Sequence, residues 1–174
     1  ISVNFSTHEL ADDALVRHWL TLCKQYGLSS DALEIELTES AFTEDESSLY
    51  KRLTLLRKMG ISVAVDDFGT GYSSLGRVVN MPVSKIKIDR SLIRDITSNE
   101  RKRKLVRTIQ VLSQTLDAQL LIEGVEEPEQ LAILELLGCH LYQGYLFSRP
   151  LSPAQVVDFL QDLTPLAVET VGIG

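Results

Sequence analysis

Cysteine is nearly absent from this chain: two occur in 174 residues, Cys23 and Cys139. Two thiols so far apart read as reduced core residues rather than a bridge, which excludes a disulfide scaffold and points to a cytoplasmic setting. No apolar run approaches the roughly 20 residues that span a bilayer, and no signal peptide is visible. Basic charge is in deficit, with 17 Lys and Arg against 24 Asp and Glu and a formal net charge of −7. That balance excludes DNA or RNA binding through a broad basic face. It leaves room for one small phosphate ligand if a cation intervenes. Histidine is scarce, and His8, His18 and His140 fall away from the clustered acids described below, so they read as surface or structural residues. Neither G-x-G-x-x-G nor G-x-x-x-x-G-K-[ST] occurs, so the usual glycine cradles for phosphate are missing.

What remains is ordinary globular material, 44% hydrophobic and 24% charged, with enough length to bury a core. Short β-branched runs alternate with long helical stretches. Strands are predicted at Ile1–Asn4, Leu33–Leu37, Ile61–Asp66, Lys85–Ile88, Gln119–Glu123 and His140–Tyr145, at the spacing of βα units. Most look apolar enough to be buried on both faces, as parallel strands are. Between them, apolar stripes at helical spacing run through Leu15, Trp19, Leu22 and Tyr26; Leu49, Leu53, Leu56 and Met59; and Leu105, Ile109, Leu112 and Leu116. A shorter stripe runs through Leu131, Leu134 and Leu137, and a final one through Val156, Phe159, Leu160 and Leu163. Gly27, Gly60 and Gly138 mark helix ends, and Ser152-Pro153 a helix start. Six βα units predict a parallel α/β sheet, and the pattern alone leaves a doubly wound sheet and a TIM barrel both open. Pro165–Gly174 carries no pattern and reads as a loose tail.

Every predicted strand carries a polar or ionisable residue at or near its C-terminal end: Asn4, Glu36, Asp66 with Asp67, Lys87 with Asp89, Glu123, and Gln143. In a barrel those ends converge on one face, where active sites are built. A single aspartate after a strand is usually a helix cap, but Glu36 and Lys87 lie inside apolar runs, where unpaired charge would cost several kcal/mol. Clustered acids tolerate proximity when cations bridge them. The oxygen donors fit Mg²⁺ or Mn²⁺ rather than zinc, and the adjacent Asp66 and Asp67 suit a bridging position between two ions. Lys87 reads either as the group that orients an attacking water or stabilises phosphate charge, or as a salt-bridge partner for one of the acids. The loop Phe68–Leu75, with two glycines beside two acids, reads as a mobile lid or a rigid interface element carrying Phe68 and Tyr72.

Ser2-Val3-Asn4, Glu36-Leu37-Thr38-Glu39-Ser40, the run DDFGTGYSSL over Asp66–Leu75, Lys87-Ile88-Asp89, Glu123-Gly124-Val125-Glu126 and Gln143-Gly144-Tyr145 occur in this order. The chain resembles the EAL-domain family of bacterial cyclic-di-GMP phosphodiesterases. The resemblance implies a TIM-like (βα) barrel over residues 1–163, with 164–174 as a C-terminal tail. It implies hydrolysis of cyclic di-GMP to linear 5′-pGpG, with two Mg²⁺ or Mn²⁺ ions held by Asn4, Glu36, Asp66, Asp67 and Glu123. Lys87 is then the residue near the nucleophilic water. Glu126 and Gln143 are catalytic contacts, Gln143 also touching substrate. Glu39 anchors the DDFGTG loop, through which a homodimer couples to the site. The family's Glu-Ala-Leu motif, which carries another metal-ligating glutamate, is absent together with its strand, so the first two strands of the barrel are expected to be missing. The opening on Ile1-Ser2-Val3 without methionine reads as a cut in a longer protein, whose upstream part would hold sensory domains or a membrane anchor. Residues 1–174 alone are expected not to form a stable, active monomer, and a non-catalytic cyclic-di-GMP receptor or interaction module is the alternative if those strands do not exist.

Overall fold

The computed structural model describes residues 1–10, 12–39, 41, 46–69 and 75–162. Six strands form one sheet: β1 (Ser2–Asn4), β2 (Glu34–Thr38), β3 (Ser62–Phe68), β4 (Lys85–Ile88), β5 (Gln119–Glu123) and β6 (Leu141–Gln143). Every neighbouring pair is parallel, and the spatial order is the chain order, β1 to β6. This order decides between the two architectures left open by the sequence. A doubly wound sheet reverses its strand order at a switch point, whereas unbroken sequential order with right-handed crossovers puts all helices on one side and curls the sheet into barrel wall. The fold is a half-barrel, with β1 and β6 as its edges among the described residues.

The helices are α1 (Thr7–Leu10), α2 (Asp13–Gln25), α3 (Glu46–Lys58), α4 (Leu75–Val78), α5 (Glu100–Thr115), α6 (Pro128–Leu136) and α7 (Pro153–Asp162). Their starts follow capping chemistry. Asp12 accepts from the N–H groups of Ala14 and Leu15, and Asn99 from that of Lys102. Ser152 and Gln155 cap each other reciprocally at the head of α7, as Ser152-Pro153 predicts. Gly27, Gly60 and Gly138 all take positive φ after a helix end. At Gly60 a side chain would also meet Ser30, since a Cβ there lies 2.5 Å from Ser30 Oγ. None of the described helices is long and apolar enough to cross a membrane.

The core lies between the convex face of the sheet and the helices. Ile35, Leu37, Val63, Val65, Ile86, Ile88, Leu120 and Ile122 point outward into it and are buried, joined by Leu53, Leu56, Val106, Ile109 and Leu134 from α3, α5 and α6. The strands are therefore not apolar on both faces, contrary to expectation. Their alternate residues, Ser2, Asn4, Glu34, Glu36, Ser62, Asp66, Lys85, Lys87, Glu123 and Gln143, line the concave face. The helical stripes also need correction at their ends. Tyr26 is the C-cap of α2 and exposed, and Cys23 takes its place in the core. Leu105 is exposed while its neighbour Val106 is fully buried. On α7, Val156 and Leu160 are exposed and Leu163 lies outside the described residues, as does the tail 164–174. Cys23 and Cys139 are free and buried, and the three histidines are exposed, as read.

Candidate active site

Lys87 is the centre of the concave face. Its Nζ lies 2.9 Å from Glu36 Oε1, 2.9 Å from Asp66 Oδ1 and 2.9 Å from Glu123 Oε1. One ammonium from β4 thus gathers carboxylates from β2, β3 and β5, and the sequence alternative of a salt bridge to one acid becomes a bridge to three. The lysine is 6% exposed and Glu36 8%. Burial works against the charged ammonium, but the three carboxylates outweigh it and raise its pKa above the ordinary lysine value. Lys87 is therefore a fixed cation.

A bulge brings the paired aspartates to this position. Val65 pairs with Ile86 and Phe68 with Ile88, so both Asp66 and Asp67 oppose the single residue Lys87. Asp67 takes φ 54°, a left-handed backbone that a short polar residue tolerates. The bulge lets two consecutive aspartates reach the same mouth, where strict alternation would send one into the core. Burial pushes the Asp67 carboxyl up, helped by the charges of Asp66 and Asp89 and opposed by Lys87. Burial also raises Glu123, with Lys87 offsetting part of the effect.

The other sequence candidates are arranged around this knot. Asn4 ends β1 opposite Glu36, and Gln143 ends β6 opposite Glu123. The Val125 N–H donates to the Gln143 carbonyl and the Leu146 N–H to the Val125 carbonyl, at 3.1 Å each. This lacing sets the backbone of Val125 against Gly144, where a Cβ would lie 2.1 Å from the Val125 carbonyl oxygen, so Gly144 cannot carry a side chain. Glu126 lines a neighbouring cavity with Asp89, Arg90 and Arg94, and its N–H donates to buried Gln130. Glu39, buried after β2, accepts the Gly69 N–H at 3.1 Å, which ties the start of the DDFGTG loop to β2. Phe68 is 3% exposed and packs in the core, so it is not a surface contact for a partner. Thr70–Ser74, including Tyr72, and Ser40 lie outside the described residues.

Two relationships were not read from the sequence: the effect of the strand-end Asp89 on Asp67, and an ion pair further down the same face. Asp89 is near enough to Asp67 to raise its pKa. Burial opposes its own ionisation, but hydrogen bonds from Ser91 and the Arg90 backbone outweigh that and hold it below the usual range. The second is a pair below the knot, Lys85 Nζ to Glu34 Oε2 at 2.6 Å. Alternation along Glu34-Ile35-Glu36 and Lys85-Ile86-Lys87 was the signal for it.

Among the described residues, no three His, Cys, Asp or Glu side chains stand around a common metal position, because the acids close on Lys87 instead. Three observations nevertheless fit divalent cations. The donors are all oxygens, as hard ions require. Asp66 Oδ1 is buried, and beyond its ion pair with Lys87 it takes no hydrogen bond. Asp67 and Glu123 have raised pKa values, first because burial disfavours their charge and then because neighbouring acids repel it, and a bound cation would relieve both.

The model of the EAL domain matches residues 1–150. Among curated relatives, the cyclic di-GMP phosphodiesterase NbdA of Pseudomonas aeruginosa is 40% identical over 161 residues, 92% of this chain; the chain spans 21% of its length. Among solved structures, the PaMucR phosphodiesterase in complex with c-di-GMP superposes with a TM-score of 0.81 at 35% identity, over 90% of this chain and 63% of that one. Klebsiella pneumoniae BlrP1, solved with manganese and cyclic di-GMP, gives a TM-score of 0.80 at 33% identity, over 86% of this chain and 38% of that one.

Proposed function

We infer the function from one premise: this chain belongs to the EAL domain family. On that premise we propose that it hydrolyses cyclic di-GMP to linear 5′-pGpG with the help of two divalent cations, Mg²⁺ or Mn²⁺. The observation that carries the reading is the convergence of Glu36, Asp66 and Glu123 on Lys87 at the C-terminal mouth of the half-barrel. A dianionic substrate cannot approach such a cluster without added positive charge. The names of NbdA and of the solved relatives supply the substrate.

Asn4, Glu36, Asp66, Asp67 and Glu123 would hold the ions. When bound, they supply Lewis-acid polarisation of the phosphoryl oxygens and a water made nucleophilic near neutral pH. The chain's own residues do the rest. The water oxygen bonds to phosphorus as the P–O3′ bond breaks, and the proton that the water gives up ends on the departing 3′ oxygen. Lys87, fixed in place and always charged, orients the water and meets charge that grows on the phosphoryl group. Gln143 and Glu126 orient substrate from the β6 and β5 sides. Glu39 holds the base of the DDFGTG loop, and we read the segment beyond Gly69 as the element through which a second copy acts on the site.

Incubating the purified protein with cyclic di-GMP and Mn²⁺, and separating products by anion-exchange chromatography, tests the reading. Linear pGpG that disappears with excess chelator is expected. Binding of cyclic di-GMP without any product would make the protein a receptor instead.

A further inference from the structure

Two lysines enter the concave face from β4, and only one of them belongs to the acid knot. Lys85 lies two residues before Lys87 and points the same way. In the ladder it pairs with Ala64, which in turn pairs with Glu36. Lys85 and Glu36 therefore share one row, two strand spacings or about 10 Å apart, with nothing but the Ala64 methyl group between their Cα positions. A lysine side chain covers most of that span, so the register itself offers Glu36 to Lys85.

The structure shows a different pairing. Lys85 bends to Glu34, at 2.6 Å, and leaves Glu36 to Lys87. Glu34 is held for this by the Ser2 hydroxyl, which donates to its Oε1 at 2.9 Å and leaves Oε2 for the ammonium. Both side chains are largely covered, 20% exposed for Lys85 and 12% for Glu34. Charge this well buried does not stay unpaired when another carboxylate is in reach.

We propose that Glu34 is a positioning residue that keeps the Lys85 ammonium on the floor of the concave face, away from Glu36. Without it, the nearest carboxylate to Lys85 is Glu36, and a second ammonium in the acid knot neutralises oxygen donors that divalent cations need. The inference rests on the metal-dependent reading above.

The test is Mn²⁺ binding without substrate, followed by the electron paramagnetic resonance of free Mn²⁺, in the parent, in Glu34→Gln and in Glu34→Gln/Lys85→Met. Glu34→Gln should weaken binding about tenfold or more, as loss of an outer partner of a metal site does. Removing the released ammonium in the double variant should return the affinity to the parent's. Parent-like binding in Glu34→Gln, or a double variant as weak as the single one, would overturn the proposal. If Glu34→Gln does not fold, Lys85→Met decides alone: with no ammonium to release it should bind Mn²⁺ at least as tightly as the parent, and weaker binding would contradict the account. A parent that binds no Mn²⁺ at all would instead overturn the metal-dependent reading, and this proposal with it.

Discussion

Lys87 Nζ and Asp66 Oδ1 lie 2.9 Å apart, and that buried oxygen has no hydrogen-bond partner. The shared ammonium offsets its charge, and no other donor reaches its remaining lone pairs. The same lysine also serves Glu36 and Glu123, so three acids share one positive charge. The arrangement is short of cation.

Lys87→Ala should lower turnover of cyclic di-GMP by about 10²-fold or more while changing its affinity far less. On the proposed function the lysine serves charge that develops in the transition state rather than the ground-state ligand. Titration calorimetry beside a hydrolysis assay separates the two; parallel losses would mean that it merely binds substrate.

Asp66→Asn keeps the shape of the side chain and removes one negative charge from the bulge. Turnover should fall by several orders of magnitude, and the rise in melting temperature that Mn²⁺ gives the parent should vanish. A preserved thermal shift would place the ion elsewhere.

Glu39→Ala leaves the half-buried Gly69 N–H without its carboxylate, a loss of about 1–3 kcal/mol for a hydrogen bond to a charged group. Hydrolysis should drop while the far-ultraviolet circular dichroism stays that of the parent. Normal activity would show that the anchor is dispensable to the loop.

Acidification tests the raised carboxyls. Asp67 and Glu123 sit above their ordinary values of 3.8 and 4.5. A folded pKa above the unfolded one means that the folded, metal-free protein binds the proton more readily. These two groups thus weaken the fold at neutral pH, and that penalty is relieved as pH falls through the raised values towards the ordinary ones. Protons then compete with metal over the same window. Mn²⁺ affinity should begin to fall before pH reaches 4.5, and a flat profile down to that pH would contradict the assignment.

Much of this site was legible because charge inside an apolar run is costly. Glu36 and Lys87 had to face something, and the strand ends of Asn4, Asp66, Glu123 and Gln143 said where. Alternation was misread in the same strands: Glu34-Ile35-Glu36 and Lys85-Ile86-Lys87 each put every second residue on one face, which makes that face polar. The bulge at Asp66-Asp67 was not legible, since two adjacent aspartates do not reveal which one leaves the strand register. Asp89 was read as a strand end but given no role in the site, because an aspartate just after a strand is usually a helix cap, and it does accept the Ser91 N–H in that way. Leu105 and Val106 differ in burial because neighbouring residues on a helix stand about 100° apart, and the apolar stripe alone did not fix which of them faced the sheet.

The most direct test of the account is the rate of pGpG formation as Mn²⁺ is titrated into metal-free protein, with parent and Asp66→Asn compared at the same cyclic di-GMP concentration. The account predicts no product without metal, a saturating rise in the parent, and no comparable rise in the variant. Product formation by metal-free parent, or an unchanged titration in Asp66→Asn, would contradict it.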